Sequence, residues 1–232
     1  MTRKTNARLA GSMFLLYIAM GISTIVLSSP MAGAESVAAK LAIIAEQAPR
    51  MRVNIVLSQL IIVDALVLAV ALYALTRDYD RDLALLALTF RVAEGVIGAV
   101  CLLATLTLFW LATASAAAAP DAAATNAIAA VLLKVEGWSP ILGAFPFSVG
   151  STLYSWLFLR SRSIPAPLAW LGVFASILLV VLLPAQLAGF LKGPVTSYMW
   201  LPMLVFEVAL ALWLLIKGVA TPATQRPLAE TV

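Results

Sequence analysis

The sequence predicts an all-α integral membrane protein, a bundle of six transmembrane helices with short amphipathic helices on its outer face. Three observations carry this. The 232 residues are 63% hydrophobic and only 11% charged, and the mean hydropathy is +1.03; a soluble domain carries about 25% charged residues. Six runs are long and apolar enough to cross a hydrocarbon core of about 30 Å, which needs about 20 helical residues. The basic residues between those runs alternate in density from one side to the other. The length is that of one membrane domain, 1–232.

The spans are expected at 9–29, 53–76, 83–112, 139–159, 167–187 and 197–216. The first follows Arg3, Lys4 and Arg8 and ends near Ala32-Gly33-Ala34, which imitates a signal-peptide cleavage site. Its apolar run exceeds a signal core of about 7–15 residues, so a retained helix is expected. In loop 30–52, Val37, Leu41, Ile44 and Ala48 recur at spacings of four, three and four. This predicts a short amphipathic helix, lying on the outer surface or packed as a lid. The stretch AAATNAIAAVLLKVEGW, 122–138, predicts a second outer helix running into the fourth span, with Lys134 and Glu136 near the interface. ASAAAAPDAAAT before it is a small-residue loop. Pro140 and Pro146 predict a bend in the fourth span. Trp110, Tyr154, Trp156, Tyr198 and Trp200 lie towards span ends, as interfacial belts require, and Met199 and Met203 read as packing.

Arg3, Lys4 and Arg8, then Arg77 and Arg81, Arg160 and Arg162, and Lys217 and Arg226 all fall on one side of a six-span chain. That side is expected to be cytoplasmic, with both termini on it.

Four ionisable residues lie inside the spans: Asp64, Arg91, Glu94 and Glu207. Counted from the nearest loop charges, they sit about 19, 13, 18 and 15 Å deep. A charge at that depth costs about 2.5–3.5 kcal/mol on insertion scales, so all four should face inward and pair. Arg91 and Glu94 are three apart, on one helix face. Gly95 and Gly98 continue that face and would let a neighbouring helix approach, bringing Asp64 or Glu207 to the guanidinium for forked bridging. One positive against three negative groups leaves room for a proton or a cation. This cluster is the expected ligand or ion site. The competing reading is a structural lock that fixes helix register.

The chain has no histidine and one cysteine, Cys101. This excludes histidine-ligated haem, histidine-based zinc motifs, histidine general bases and intrachain disulfides. A single deep aspartate does not make an aspartyl dyad, and no phosphate-cradling loop is present. No catalytic constellation, cofactor motif, metal site or nucleic-acid patch is therefore expected. The partners expected are the lipid bilayer, with a small ligand, cation or proton, or else a membrane protein.

In order along the chain stand RLAG at 8–11, Asp64 leading into ALVLAVALYALTR, FRVAEGV at 90–96, GSTLYSWLFLRSRSIPAPLAWLG at 150–172 and EVALALWLLIKG at 207–218. This succession resembles the DUF4386 family of bacterial membrane proteins, whose function is unassigned. The resemblance spans nearly the whole chain and implies a six-helix membrane fold but no reaction. It also implies acidic residues at Asp64 and Glu207 and an Arg–Glu pair at Arg91 and Glu94. SPILGAFPFSV at 139–149 departs from the glycine- and phenylalanine-rich stretch of the family pattern.

Overall fold

Eight helices form in the computed structural model, which describes residues 2–114 and 121–220. They are α1 (Arg3–Ala32), α2 (Val37–Glu46), α3 (Ala48–Thr76), α4 (Arg81–Thr113), α5 (Ala122–Ser161), α6 (Ala166–Leu187), α7 (Val195–Tyr198) and α8 (Leu201–Ile216). Six helical segments are long and apolar enough to cross a membrane, with α7 and α8 counted together as the last. The expected Arg226 and residues 115–120 of the small-residue loop lie outside the described residues.

Polar caps start four of the helices. The side chains of Thr2, Ser36, Asp80 and Asp121 accept from the backbone N–H three residues on, which satisfies one orphan donor at each helix start. At the end of α5, Arg162 adopts a left-handed conformation, φ 52°, while Ser163 N donates to Phe158 O at 3.2 Å. This closes the helix in a Schellman turn before Pro165 opens the path to α6. Gly218, φ 74°, ends α8 without the Cβ penalty.

The spans form a closed ring: α1 packs on α3, α3 on α4, α4 on α5, α5 on α6, α6 on α8 and α8 back on α1. Inside a bilayer the packing of helices depends on close approach rather than on release of water. Ala7 and Gly11 of α1 provide it against α8, where a Cβ on Gly11 would lie 2.7 Å from Ala211 O and from Leu215 Cγ. Gly172 does the same for α6 against Phe206 and Ser155. The main core, with Ala10, Phe14, Leu72, Phe158, Leu179 and Leu210, fills the half of the bundle nearer the termini.

That end is tied together by polar contacts. Arg3 pairs with Asp78 at 3.1 Å and donates to Ala220 O at 3.4 Å, and Ala220 N donates to Ser163 O at 2.9 Å. The basic clusters around Arg3, Arg77, Arg160 and Lys217 thus meet at one end of the bundle.

The opposite end has a second, smaller core of Ile44, Met51, Leu108, Leu111 and Ala129, against which Val37 and Leu41 pack. The amphipathic stripe of α2 therefore faces protein, as a lid over α4 and α5, and not a lipid surface. The outer helix at 122–138 and the fourth span are one continuous helix of 40 residues, about 60 Å long and about twice the hydrocarbon thickness. Pro140 and Pro146 lie inside it without ending it. Tyr154 is a correction to the aromatic belt: it is buried and donates to Ala69 O at 3.1 Å. Trp110, Trp156 and Tyr198 are exposed.

Candidate functional site

The four intramembrane charges are all buried: Asp64 4%, Arg91 1%, Glu94 8% and Glu207 7% exposed. The charge of Arg91 reaches Asp64, Glu94 and Glu207 through space, but only Glu94 is within ion-pair distance of it. Arg91 Nη1 lies 2.8 Å from Glu94 Oε2, the turn-spaced pair expected from the sequence. Neither Asp64 nor Glu207 comes within ion-pair distance of the guanidinium, so Arg91 does not bridge carboxylates of other helices. The contact to Glu94 is one of charge without hydrogen-bond geometry. Among the described residues, no acceptor takes a hydrogen bond from Arg91 Nε, Nη1 or Nη2.

Arg91 is held by three groups that the sequence reading did not single out. The Phe147 ring lies under its guanidinium, 4.7 Å from Cζ to the centroid, an arrangement in which a desolvated cation gains from the ring quadrupole. Gly150 leaves space for its methylenes, since a Cβ there would lie 3.0 Å from Arg91 Cγ. Tyr17 Oη donates to Glu94 Oε1 at 2.8 Å, so the carboxylate joins α1 to α4. A tyrosine and a phenylalanine in apolar runs carry no spacing signal; only the facing of helices identifies them.

Gly95 and Gly98 do let α3 approach, but the atoms that fill the space are those of Leu66 and Ile62, at 3.3 and 3.4 Å from the added Cβ positions. Asp64 is two residues from each, hence about 200° around the helix. It sits instead on the stripe of Leu68, Ala71 and Leu75, and among the described residues both its oxygens lack a hydrogen-bond partner.

A cavity of about 610 Å³ occupies the half of the ring away from the termini. Its floor is Tyr17, Glu94, Phe147, Met203 and Glu207. From there its lining runs to Ile25 on α1, Ser58 on α3, Cys101 on α4, Ser139 on α5 and Trp200 just before α8, in each case towards the far end of the span. Gly95 and Gly98 belong to its wall, and Met203 both packs in the core and faces it. Asp64 does not line it. Helices α1 and α8 are tightly apposed at Gly11, and beyond it the cavity lies between them, lined by Ile18 and Ile22 of α1 and by Met203 and Leu204 of α8. Ile22, Ile25 and Leu204 form a rim there that remains exposed. Volumes of about 300–1,000 Å³ with apolar walls and few polar groups characterise small-molecule sites.

Among the described residues no group of three or more acidic, cysteine or histidine side chains is placed to hold a metal ion. The family described as a domain of unknown function, DUF4386, matches residues 9–218. No curated protein matches the chain, and no solved structure does.

Proposed function

This chain belongs to the DUF4386 family, and from that premise we propose that it binds a small ligand, cation or proton in the cavity, as a carrier or a membrane sensor. The observation that supports this is the placing of Glu94 and Glu207 together on the floor of a 610 Å³ cavity at mid-span. Buried ionisable groups in a span are costly and usually serve a pathway or a site. Arg91 serves as the anchor that holds Glu94; Glu207 faces the cavity from α8; Asp64 stands outside it. The reading includes a bacterial inner membrane with both termini cytoplasmic, supported by the basic residues gathered at the terminal end. The half below the floor is packed, so this conformation is a cup, and a carrier would need α1 and α8 to separate at Gly11.

A second reading has its own support. The Arg91 contacts to Glu94 and Phe147, and Tyr17 to Glu94, join α1, α4 and α5, as a lock in a structural or regulatory subunit would.

The two are separated by thermal unfolding of the purified protein in detergent against a panel of cations, pH values and metabolites. Wild type is compared with Glu94→Gln and Glu207→Gln, and with Asp64→Asn as the control outside the cavity. A ligand at 100 times its Kd adds about 2.7 kcal/mol to the folded state. A stabilising condition whose effect both cavity variants lose supports the binding site. No shift of wild type under any condition, with the variants merely less stable, supports the lock.

A further inference from the structure

The charge of the cavity lining selects among ligands. Two carboxylates reach it, and among the described residues no lysine or arginine lines it. Arg91 neutralises Glu94 from outside, across the Phe147 side of the floor. Glu207 has no ion-pair partner, and the charge of Arg91 reaches it only through space. Among the described residues no ion pair or hydrogen bond reaches it, although it is 7% exposed and faces the cavity. Counted as formal charges, one arginine against two carboxylates leaves the floor one negative charge in excess.

The walls are of the opposite character. Ile18, Ile22, Ile62, Ala144 and Leu204 are apolar, and Trp200 stands at the upper end. A bare inorganic cation requires about six oxygen ligands, which this lining does not assemble. An anion would meet two carboxylates and, among the described residues, no cationic side chain in the lining. We propose that the cavity takes a monovalent organic cation with an apolar body: an ammonium head on Glu207, and the body against the isoleucines up to the exposed rim between α1 and α8. The proposal rests on the binding-site reading above and adds the ligand's chemical class. A choline headgroup shares the ammonium but carries a phosphate for which the lining has no cation.

Cys101 provides the test. It is the only cysteine, it is unpaired, and it lies on the cavity wall about 10 Å along α4 from Glu94. Full-length protein in detergent is treated with trimethylammonium-ethyl, sulfonatoethyl or methyl methanethiosulfonate. Each rate is divided by that of the same reagent with 2-mercaptoethanol. The expected result is labelling by the neutral reagent and a normalised cation-to-anion ratio of about 10 or more, since an acidic cleft concentrates cations by about that factor. Glu207→Gln should bring the ratio near one. Benzyltrimethylammonium should slow labelling of the wild type, whereas benzoate and phosphocholine should not, a comparison that needs no variant to fold.

Labelling with no preference for the cation, or equal protection by benzoate, overturns the organic-cation assignment and leaves the open cavity in place. Protection by phosphocholine equal to that by benzyltrimethylammonium replaces the free cation with a lipid headgroup. Failure of all three reagents, with labelling restored on unfolding, overturns the cavity reading itself.

Discussion

Gly150 and Arg91 are fitted to each other: a Cβ on the glycine would stand 3.0 Å from Arg91 Cγ and 3.1 Å from Cδ, with Ala87 O at 3.2 Å. The buried arginine depends on a missing side chain one helix away. Gly150→Ala gains helix propensity, worth about 0.8–1.0 kcal/mol, but overpacking a filled interior costs about 1–3 kcal/mol. Net destabilisation is expected, read as a lower Tm in detergent. Combined with Arg91→Ala, Gly150→Ala should cost less, with only the Ala87 O contact remaining, which a double-mutant cycle measures. A stability gain for Gly150→Ala alone would contradict the close fit.

Removing one partner of a buried ion pair strands the other charge, at a cost of about 3–5 kcal/mol, whereas replacing both with apolar residues is often neutral. Arg91→Met and Glu94→Leu are each expected to lower Tm more than the double variant does. Equal and additive losses would show that the pair is not energetically coupled. Tyr17→Phe should cost less than either, because it removes one hydrogen bond to a charged group, worth about 1.5–3 kcal/mol.

The two glycines of α1 make opposite predictions. Gly11→Ala drives a methyl into Ala211 O and Leu215 and should destabilise the bundle or part α1 from α8. Gly21→Ala meets nothing within 4 Å and removes an interior helical glycine, a gain of about 0.5–1 kcal/mol. Thermal unfolding of the two variants side by side decides this; losses of equal size would mean that α1 and α8 do not diverge.

Arg162 is a non-glycine residue at φ 52°. Arg162→Gly should relieve left-handed strain of about 1–2 kcal/mol and raise Tm, with no change in Cys101 labelling. A lower Tm would mean that the Arg162 side chain contributes more than its backbone costs.

Depth along the helix was readable from the sequence, and direction around it was not. Rise per residue is fixed, so counting from the loop charges put Arg91, Glu94 and Glu207 at similar depths, and the number of apolar spans followed from hydropathy. Azimuth depends on neighbours. Asp64 has the right depth but lies about half a turn from the residues that meet Gly95 and Gly98. Two prolines suggested a bend in the fourth span, and residues 122–138 an outer helix running into it; α5 is one continuous helix through both prolines, because neighbouring helices can absorb the lost backbone bond. The α2 stripe was legible as amphipathic, but an apolar stripe reads the same against lipid and against protein; the small core around Ile44 decides it. Tyr17, Phe147 and Gly150 had no pattern to announce them.

The cavity ends at mid-span while the half beneath it is filled, and this has an electrical consequence. A monovalent cation seated at Glu207 would have travelled through about half of the membrane from the far side without crossing the rest. Moving one charge across a full potential of 100 mV is worth about 2.3 kcal/mol, so reaching the floor corresponds to about half of that. Occupancy of the cup would then vary with membrane voltage, rising when the far side is positive, even in a protein that never completes a transport cycle.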